Sequence, residues 1–380
     1  MSHGVGRLRR ALDHQYAAAV TVGSGALVAL VWSALSSSQY RRVTEHPWVS
    51  GREVGLHGVI VNGAMTLFFA AVGLELSREV RTDLRGHLRS SLSPLMGAAG
   101  GMAGTAALSL AAGAVLGSSA LRRGWGIPMA TDIAFTLGVL ALAGRAVPSE
   151  LRLFLLTLAI ADDVLSVIVL TFTGHQHVRV GGLAAIVVVG LGALLLARRT
   201  PTTPVFWVIL CAMWLAFAWA GVEPALSGVL TGLVVPVTSV RTRHLERTVT
   251  RWSVGVALPL FAVVACGVTW SSLRLTGPTG TIILATVTIR VIGKVVGITA
   301  GVAVAAVLGA RRPATLRVPV LVGATFLCSI GFTVPLLFAG DLYPTGSATY
   351  GAFTVGLFGA SVLGAVLGVV VLRRSTRERA

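Results

Sequence analysis

The sequence predicts an all-α polytopic membrane protein with about 12 transmembrane helices. Hydrophobic residues make up 54% of the 380 residues and charged residues 12%, about half the charged share of an ordinary soluble domain. The apolar residues lie in stretches of about 20, the length of helix that crosses a bilayer. Short breaks bearing proline or arginine separate these stretches, so we expect residues 1–380 to form a single transmembrane domain.

The predicted spans follow the apolar runs and are numbered 1 to 12 in chain order. They cover residues 16–36, 58–80, 91–116, 125–144, 151–174, 180–197, 204–221, 223–237, 252–270, 278–309, 318–340 and 350–372. Residues 1–15 and 373–380 are left as terminal tails. The three cysteines fall inside apolar runs and lack metal-ligand spacing. We therefore expect buried thiols, no disulfide framework and no cofactor.

The distribution of basic residues predicts that both termini are cytoplasmic. Twelve spans place the termini on one side, and cytoplasmic loops carry an excess of Lys and Arg. With a cytoplasmic N-terminus, the inner segments hold 22 arginines and the outer segments 7. The formal charge of +17 is then explained by topology in a bacterial inner membrane, with the lipid bilayer and not a nucleic acid as partner.

Three carboxylates lie well inside predicted spans, where an ionisable side chain costs about 2.5 to 3.5 kcal/mol. Asp132 lies in span 4, and Asp162 and Asp163 adjoin each other near the middle of span 5. Consecutive helical residues point about 100° apart, so one aspartate can face a hydrated cavity while the other faces a helix. We expect an ion site here. A polar pair used only in packing stays an alternative, although adjacent buried acids repel each other.

Span 10 carries Lys294, the single lysine of the chain. Burial can bring a lysine to the point where it loses its proton, whereas arginine stays charged. We expect Lys294 to pair with an acid and to take part in proton coupling; a fixed salt bridge stays an alternative. Arg290 lies one turn earlier, nearer the predicted outer end, where it could snorkel to the interface. It is given no role.

Two spans carry signs of helix interruption. IPMATDIAF in span 4 contains Pro128, Thr131 and Asp132, and CSIGFTVP in span 11 supplies a second polar, glycine-bearing and proline-bearing segment. Non-helical backbone at membrane depth is tolerated only where it lines a cavity or is buried in protein. The segments occupy corresponding positions in spans 3–5 and 10–12, which predicts inverted-topology repeats around a midplane site. The residues expected at the second interruption are Ser329, Gly331 and Thr333.

The inner end of span 2 carries a mixed-charge cluster of Glu75, Arg78 and Glu79. Arg78 lies three residues after Glu75, on the same helix face. A solvated helix terminus is the plain interpretation of such a cluster. The rim of a cation entry funnel is the alternative.

Taken together, these segments resemble those of the NhaA-type sodium/proton antiporters. They occur in the same order as in that family and cover most of the chain from residue 58 onward. The runs that carry the resemblance are FFAAVGLELSRE, GWGIPMATDIAFTLGVLAL, LTLAIADDVLSVIVL, LSGVLTGLVVP, LPLFA, IGKVVGI and CSIGFT. The resemblance implies that Asp163 binds sodium, that Asp162 shares the metal site and pairs with Lys294, and that Thr131 and Asp132 lie where interrupted helices cross. It also implies that Glu75, Arg78 and Glu79 form a cytoplasmic funnel.

The function implied by the resemblance is electrogenic exchange of sodium or lithium for protons by alternating access, not enzymatic catalysis. A homodimer is left open. Another cation-coupled transporter or a channel of similar architecture stays an alternative. An intramembrane aspartyl protease is disfavoured, because its Gly-x-Gly-Asp motif does not occur here. The chain departs from the family pattern at Val61 and Asn62, at Val222, Glu223 and Pro224, and in LERTVTRW, positions associated with pH response.

Overall fold

The computed structural model describes residues 20–45, 56–82, 84–142, 148–173, 179–199, 202–237, 239–310 and 317–377. All regular elements within these ranges are helical. The predicted tail 1–15 lies outside the described residues. At the other end, the last helix continues to Arg377, beyond the predicted limit of span 12.

The α-helices follow one another with short connections, as expected for a membrane bundle. In chain order they are α1 (Val20–Leu35), α2 (Ser37–Glu45), α3 (Leu56–Thr82), α4 (Leu84–Val115), α5 (Ser119–Arg123), α6 (Ile133–Leu142), α7 (Ser149–Thr173), α8 (Val180–Arg199), α9 (Thr203–Ala220), α10 (Leu226–Val234), α11 (Val240–Trp252), α12 (Leu258–Ala265), α13 (Pro278–Val307), α14 (Val318–Leu327), α15 (Thr333–Leu342) and α16 (Ala348–Arg377). A π-helical turn, Ser253–Ala257, joins α11 to α12.

Within the described ranges, seven helical segments have the length and apolar composition to cross a membrane. These are Ile60–Arg78, Ser91–Val115, Val180–Ala197, Thr203–Ala220, Val240–Ala265, Pro278–Val307 and Ala348–Ser375. Three shorter apolar helices are α1, α14 and α15. The chain is therefore a multi-pass membrane protein.

Span 9 begins earlier in the structure than the apolar pattern predicts. The Ser239 hydroxyl caps α11 by accepting a hydrogen bond from the Thr242 amide, and the Thr242 hydroxyl accepts one from the Ser239 amide. Such a capping box satisfies two backbone donors that a helix start leaves unpaired. The charged first part of this helix does not register as an apolar run, which is why its start was predicted near residue 252.

Both predicted interruptions are present in the structure. Regular helix stops at Arg123 and resumes at Ile133, and it stops again at Leu327 and resumes at Thr333. Pro128 in the first gap has no amide hydrogen to donate to a helical bond. The amide of Asp132 instead donates to the carbonyl of Ile330 in the second gap, at 2.9 Å. The two gaps are thus joined backbone to backbone.

Glycines bring α4 and α13 into unusually close contact. A Cβ placed on Gly100 or Gly104 of α4 would collide with the backbone of α13, and one placed on Gly297 or Gly301 would collide with α4. Only glycine permits this approach of two helix backbones. The contact fixes the height and rotation of α13, the helix that carries Lys294.

The bundle also has an apolar outer surface. On α8 the exposed large residues recur around much of the helix, as expected where a helix faces lipid tails. Cys211, expected to be buried, is exposed on α9, while Cys266 and Cys328 are buried. An apolar run alone does not distinguish the inward from the outward side of a helix, so that expectation was wrong. The exposed large residues of α8 are Val180, Leu183, Val187, Val188, Leu191, Leu195 and Leu196.

Candidate functional site

The two interrupted helices cross at Asp132, which is 4% exposed. The Thr333 hydroxyl, at the first residue of α15, donates to Asp132 Oδ2 at 3.1 Å. Asp132 Oδ1 accepts a hydrogen bond from the amide of Phe135 at 3.2 Å, in the first turn of α6. The Thr131 hydroxyl donates to the Cys328 carbonyl at 2.9 Å. These bonds hold one carboxylate at the amino-terminal ends of two helices.

That placement has an electrostatic reason. Unpaired amides give a helix amino terminus a partial positive charge, which a nearby carboxylate stabilises. Asp132 directly precedes α6, and its bond to Thr333 brings it to the start of α15. The structure thus brings Thr131, Asp132 and Thr333 together where the two interruptions cross.

Asp162 and Lys294 form a fully buried ion pair between α7 and α13. The Lys294 ammonium donates to Oδ1 of Asp162 at 2.9 Å and to Oδ2 at 2.8 Å. Both side chains are 0% exposed. Removing two charges from water costs several kcal/mol per ion, and only close geometry offsets that cost. The structure thus places the single lysine of the chain against Asp162.

Asp163 differs sharply from its neighbour. Its side chain is 0% exposed, yet neither carboxylate oxygen accepts a hydrogen bond from any residue that the structure describes. Its charged surroundings include Asp162, Asp132 and Lys294. A buried ionised carboxylate without a donor is strongly unfavourable. Asp163 is thus a buried carboxylate whose two oxygens no described residue occupies.

Arg290 is buried inside the protein and does not reach its surface. Its side chain is 0% exposed, and its Nε donates to the Ser329 carbonyl at 2.7 Å. Its Nη2 donates to the Ala130 carbonyl in the other gap. The snorkelling expectation was wrong because it placed the residue by its depth in span 10 alone. The carbonyls of the two gaps attract the guanidinium inward.

The remaining residues of the second interruption contact the same crossing. The Gly331 amide donates to the Ser361 hydroxyl of α16 at 3.2 Å. A Cβ on Gly331 would collide with Nη2 of Arg290, so glycine here makes room for the guanidinium. Ser329 contributes its carbonyl to Arg290, whereas its hydroxyl has no partner in the described part of the chain.

The mixed-charge cluster lies apart, at the end of α3. Arg78 forms an ion pair with Glu75 at 3.7 Å and a closer one with Glu246 of α11 at 2.7 Å. The side chains of Glu75 and Arg78 are 36% and 42% exposed, and that of Glu246 is 9% exposed. The Glu79 side chain lies outside the described part of the structure. Sequence reasoning missed Glu246, although it is the one acid in a helix otherwise rich in arginine.

Comparison with known proteins finds similar sequences over most of the chain. Residues 9–372 match the family described as Na+/H+ antiporter 1. The chain is similar to the Na(+)/H(+) antiporter NhaA 2 of Novosphingobium aromaticivorans, at 34% identity over 94% of this chain and 93% of the relative. It is 37% identical to the NhaA antiporter of Rhizorhabdus wittichii over 83% of this chain and 84% of the relative. A Mycobacterium NhaA 2 antiporter is 36% identical over 94% and 87% of the two chains.

Proposed function

The chain belongs to the Na+/H+ antiporter 1 family, and on that premise we propose that it exports sodium ions in exchange for entering protons. The family is one of transporters, so the chain is a transporter and not an enzyme. Its relatives are named for sodium and proton exchange. Within the molecule, the observation that carries the proposal is the buried Asp163 carboxylate, which accepts no hydrogen bond from a described residue.

Asp163 supplies what an exchange site needs. Sodium is a hard cation that prefers oxygen ligands with negative charge. The Asp163 carboxylate is buried and accepts no hydrogen bond from the described residues, so its oxygens are available to a cation or a proton. The two ligands exclude each other at one carboxylate. That exclusion is the coupling between sodium export and proton entry.

The Asp162–Lys294 ion pair supports the exchange of a second proton. Asp132, Asp162 and Asp163 carry three negative charges against two positive charges on Lys294 and Arg290. One sodium ion or one proton at Asp163 neutralises the excess. When sodium also takes an oxygen of Asp162, Lys294 loses its counter-ion, and a buried ammonium without one releases its proton readily. Exchange of two protons for one sodium ion moves net charge, so transport is electrogenic.

Thr131 and Asp132 complete the ion site at the crossing. The buried oxygens of Thr131 and Asp132 lie in non-helical backbone, the setting in which transporters expose backbone and side-chain oxygens to ions. Lithium, a smaller hard cation, is accepted by the same oxygens. Glu75 and Arg78, with Glu246, form the rim of the inner entrance, with Glu79 beside them.

The architecture in this proposal has 12 crossings in one transport domain. The interruptions in spans 4 and 11 occupy matching places in inverted repeats of spans 3–5 and 10–12, and alternating access moves the crossing between two sides. Both termini face the cytoplasm of a bacterial cell, and the protein resides in the inner membrane. Two copies associate as a homodimer in this proposal.

Reconstituted vesicles test the exchange directly. Purified protein is placed in liposomes loaded with a pH-sensitive dye, and sodium, lithium or potassium is added outside with and without a potassium ionophore to clamp the voltage. We expect sodium to drive proton movement, faster when the voltage is clamped. Asp163→Asn, nearly the same in shape, should abolish it, whereas Glu75→Gln should only weaken the apparent affinity, because a rim charge concentrates cations without binding them. Sodium flux without proton movement would contradict antiport and indicate a channel.

A further inference from the structure

Arg290 makes buried hydrogen bonds that the exchange chemistry described above does not use. It lies one helical turn before Lys294 on α13, and it is among the largest fully buried side chains of the described structure. Burying an arginine is costly, because the guanidinium stays charged and keeps five donors. Such a side chain is stable in the interior only if hydrogen-bond acceptors offset the cost of removing it from water.

The partners are main-chain carbonyls from both interruptions. Nε donates to the carbonyl of Ser329, between α14 and α15, and Nη2 donates to the carbonyl of Ala130, between α5 and α6. Interrupted helices leave carbonyls without their usual helical donors. One planar guanidinium satisfies two such carbonyls from segments about 200 residues apart in the chain.

Asp132 and Arg290 bind opposite kinds of backbone or side-chain group at the crossing. Asp132 accepts hydrogen bonds from Phe135 and Thr333 at the amide-bearing ends of α6 and α15. Arg290 donates to the carbonyls of the gaps. The negative charge of Asp132 thus lies at hydrogen-bond donors near helix starts, and the positive charge of Arg290 lies at carbonyl acceptors. Helix dipoles favour both placements. Lys294 is left to pair with Asp162 alone.

We propose that Arg290 is a positioning residue: a fixed-charge clamp that ties both interruptions to α13, so that the crossing and the Lys294 helix move as one body during exchange. This inference rests on the proposed function for its transport consequence, but the clamp itself does not. The charged groups that interact with Arg290 are Asp132, Asp162 and Lys294, with the Cys328 thiol nearby. Gly331 completes the clamp, because any Cβ there would displace the guanidinium.

Hydrogen–deuterium exchange measured by mass spectrometry tests the clamp without any transport. Arg290→Gln removes the charge and can reach at most one of the two carbonyls. We expect amides in residues 128–133 and in residues 328–333 to exchange about tenfold faster or more, while those of α9 keep their rates. Loss of protection at one interruption only, or at neither, would overturn the clamp.

Transport kinetics in vesicles test the positioning role. Arg290→Gln should lower turnover per folded transporter by about tenfold or more and change the sodium KM by less than about threefold, because Asp163 is untouched and only the moving unit is loosened. Loosened interruptions with unchanged turnover would refute the role in exchange. If the wild type shows no exchange at all, the proposed function fails while the deuterium experiment still decides the clamp.

Two further variants keep the test decisive. Arg290→Lys retains the charge but loses the forked geometry, so it should give intermediate deuterium exchange and intermediate turnover; it replaces Arg290→Gln if that protein does not fold. Thr286→Val is the matched control. Thr286 is buried one turn earlier on α13 and donates only to the Ile282 carbonyl of its own helix, at 2.7 Å. Wild-type behaviour is expected for it, and wild-type behaviour of Arg290→Lys in both assays would overturn the proposal.

Discussion

Replacing Lys294 by alanine removes the ammonium that donates to both oxygens of Asp162. The two hydrogen bonds are 2.9 and 2.8 Å long and the pair is 0% exposed. Removing one partner of a buried ion pair leaves an uncompensated charge and costs about 3 to 5 kcal/mol. Each 1.4 kcal/mol is about a factor of ten in the folded-to-unfolded ratio, so the loss is large enough to measure in a detergent-solubilised membrane protein.

Thermal unfolding of five proteins measures the coupling between Lys294 and Asp162. The set is wild type, Lys294→Ala, Asp162→Asn and the double variant, with Lys294→Arg as the control that keeps a positive charge. The double variant should be more stable than the sum of the two single losses predicts, because neither charge is then left alone. Strict additivity, or a Lys294→Ala protein as stable as wild type, would refute the pairing argument.

Three further predictions follow from other parts of the molecule. Glu246→Gln removes the 2.7 Å pair with the half-exposed Arg78, so thermal unfolding should show a loss of no more than about 1 kcal/mol; a loss as large as that of Lys294→Ala would contradict this. Gly297→Val places side-chain atoms against the α4 backbone. Such overpacking costs about 1 to 3 kcal/mol of stability or more and should lower the melting temperature. The same change at Gly190, which faces open space, should leave the melting temperature unchanged. Burial lowers the pKa of His57, at the start of α3, to about 4; the folded state then binds fewer protons than the unfolded state, so stability should fall as the pH drops from about 6.5 towards 4, and His57→Gln should flatten that fall.

The buried charges could be predicted from the sequence because ionisable side chains are costly inside a membrane. Asp162, Asp163 and Lys294 stand out in apolar spans without any knowledge of their neighbours. The interruptions could be predicted for a similar reason. Proline and glycine beside polar residues at membrane depth indicate backbone that is not helical, and helix stops where those segments predict.

Pairings between distant helices could not be predicted from the residues alone. Glu246 meets Arg78 across 168 positions of sequence, because α11 packs beside the end of α3 and no local pattern records that contact. Arg290 was placed at the interface from its position along one span. Its partners are main-chain carbonyls. Every residue carries such a carbonyl, so the sequence does not show which ones will accept from Arg290. Backbone acceptors freed by an interruption become visible only when the fold is known.

The most direct test of the central claim is proton release upon sodium binding to the purified protein. In weakly buffered detergent solution with a pH indicator, adding sodium chloride should release protons from wild type, while choline chloride should not. Asp163→Asn should release none, and Glu150→Gln, which removes an exposed carboxylate from the same helix, should behave as wild type. If sodium and protons compete at Asp163, the signal disappears only in the first variant. Equal proton release from wild type and Asp163→Asn would contradict that competition and place the exchange site elsewhere.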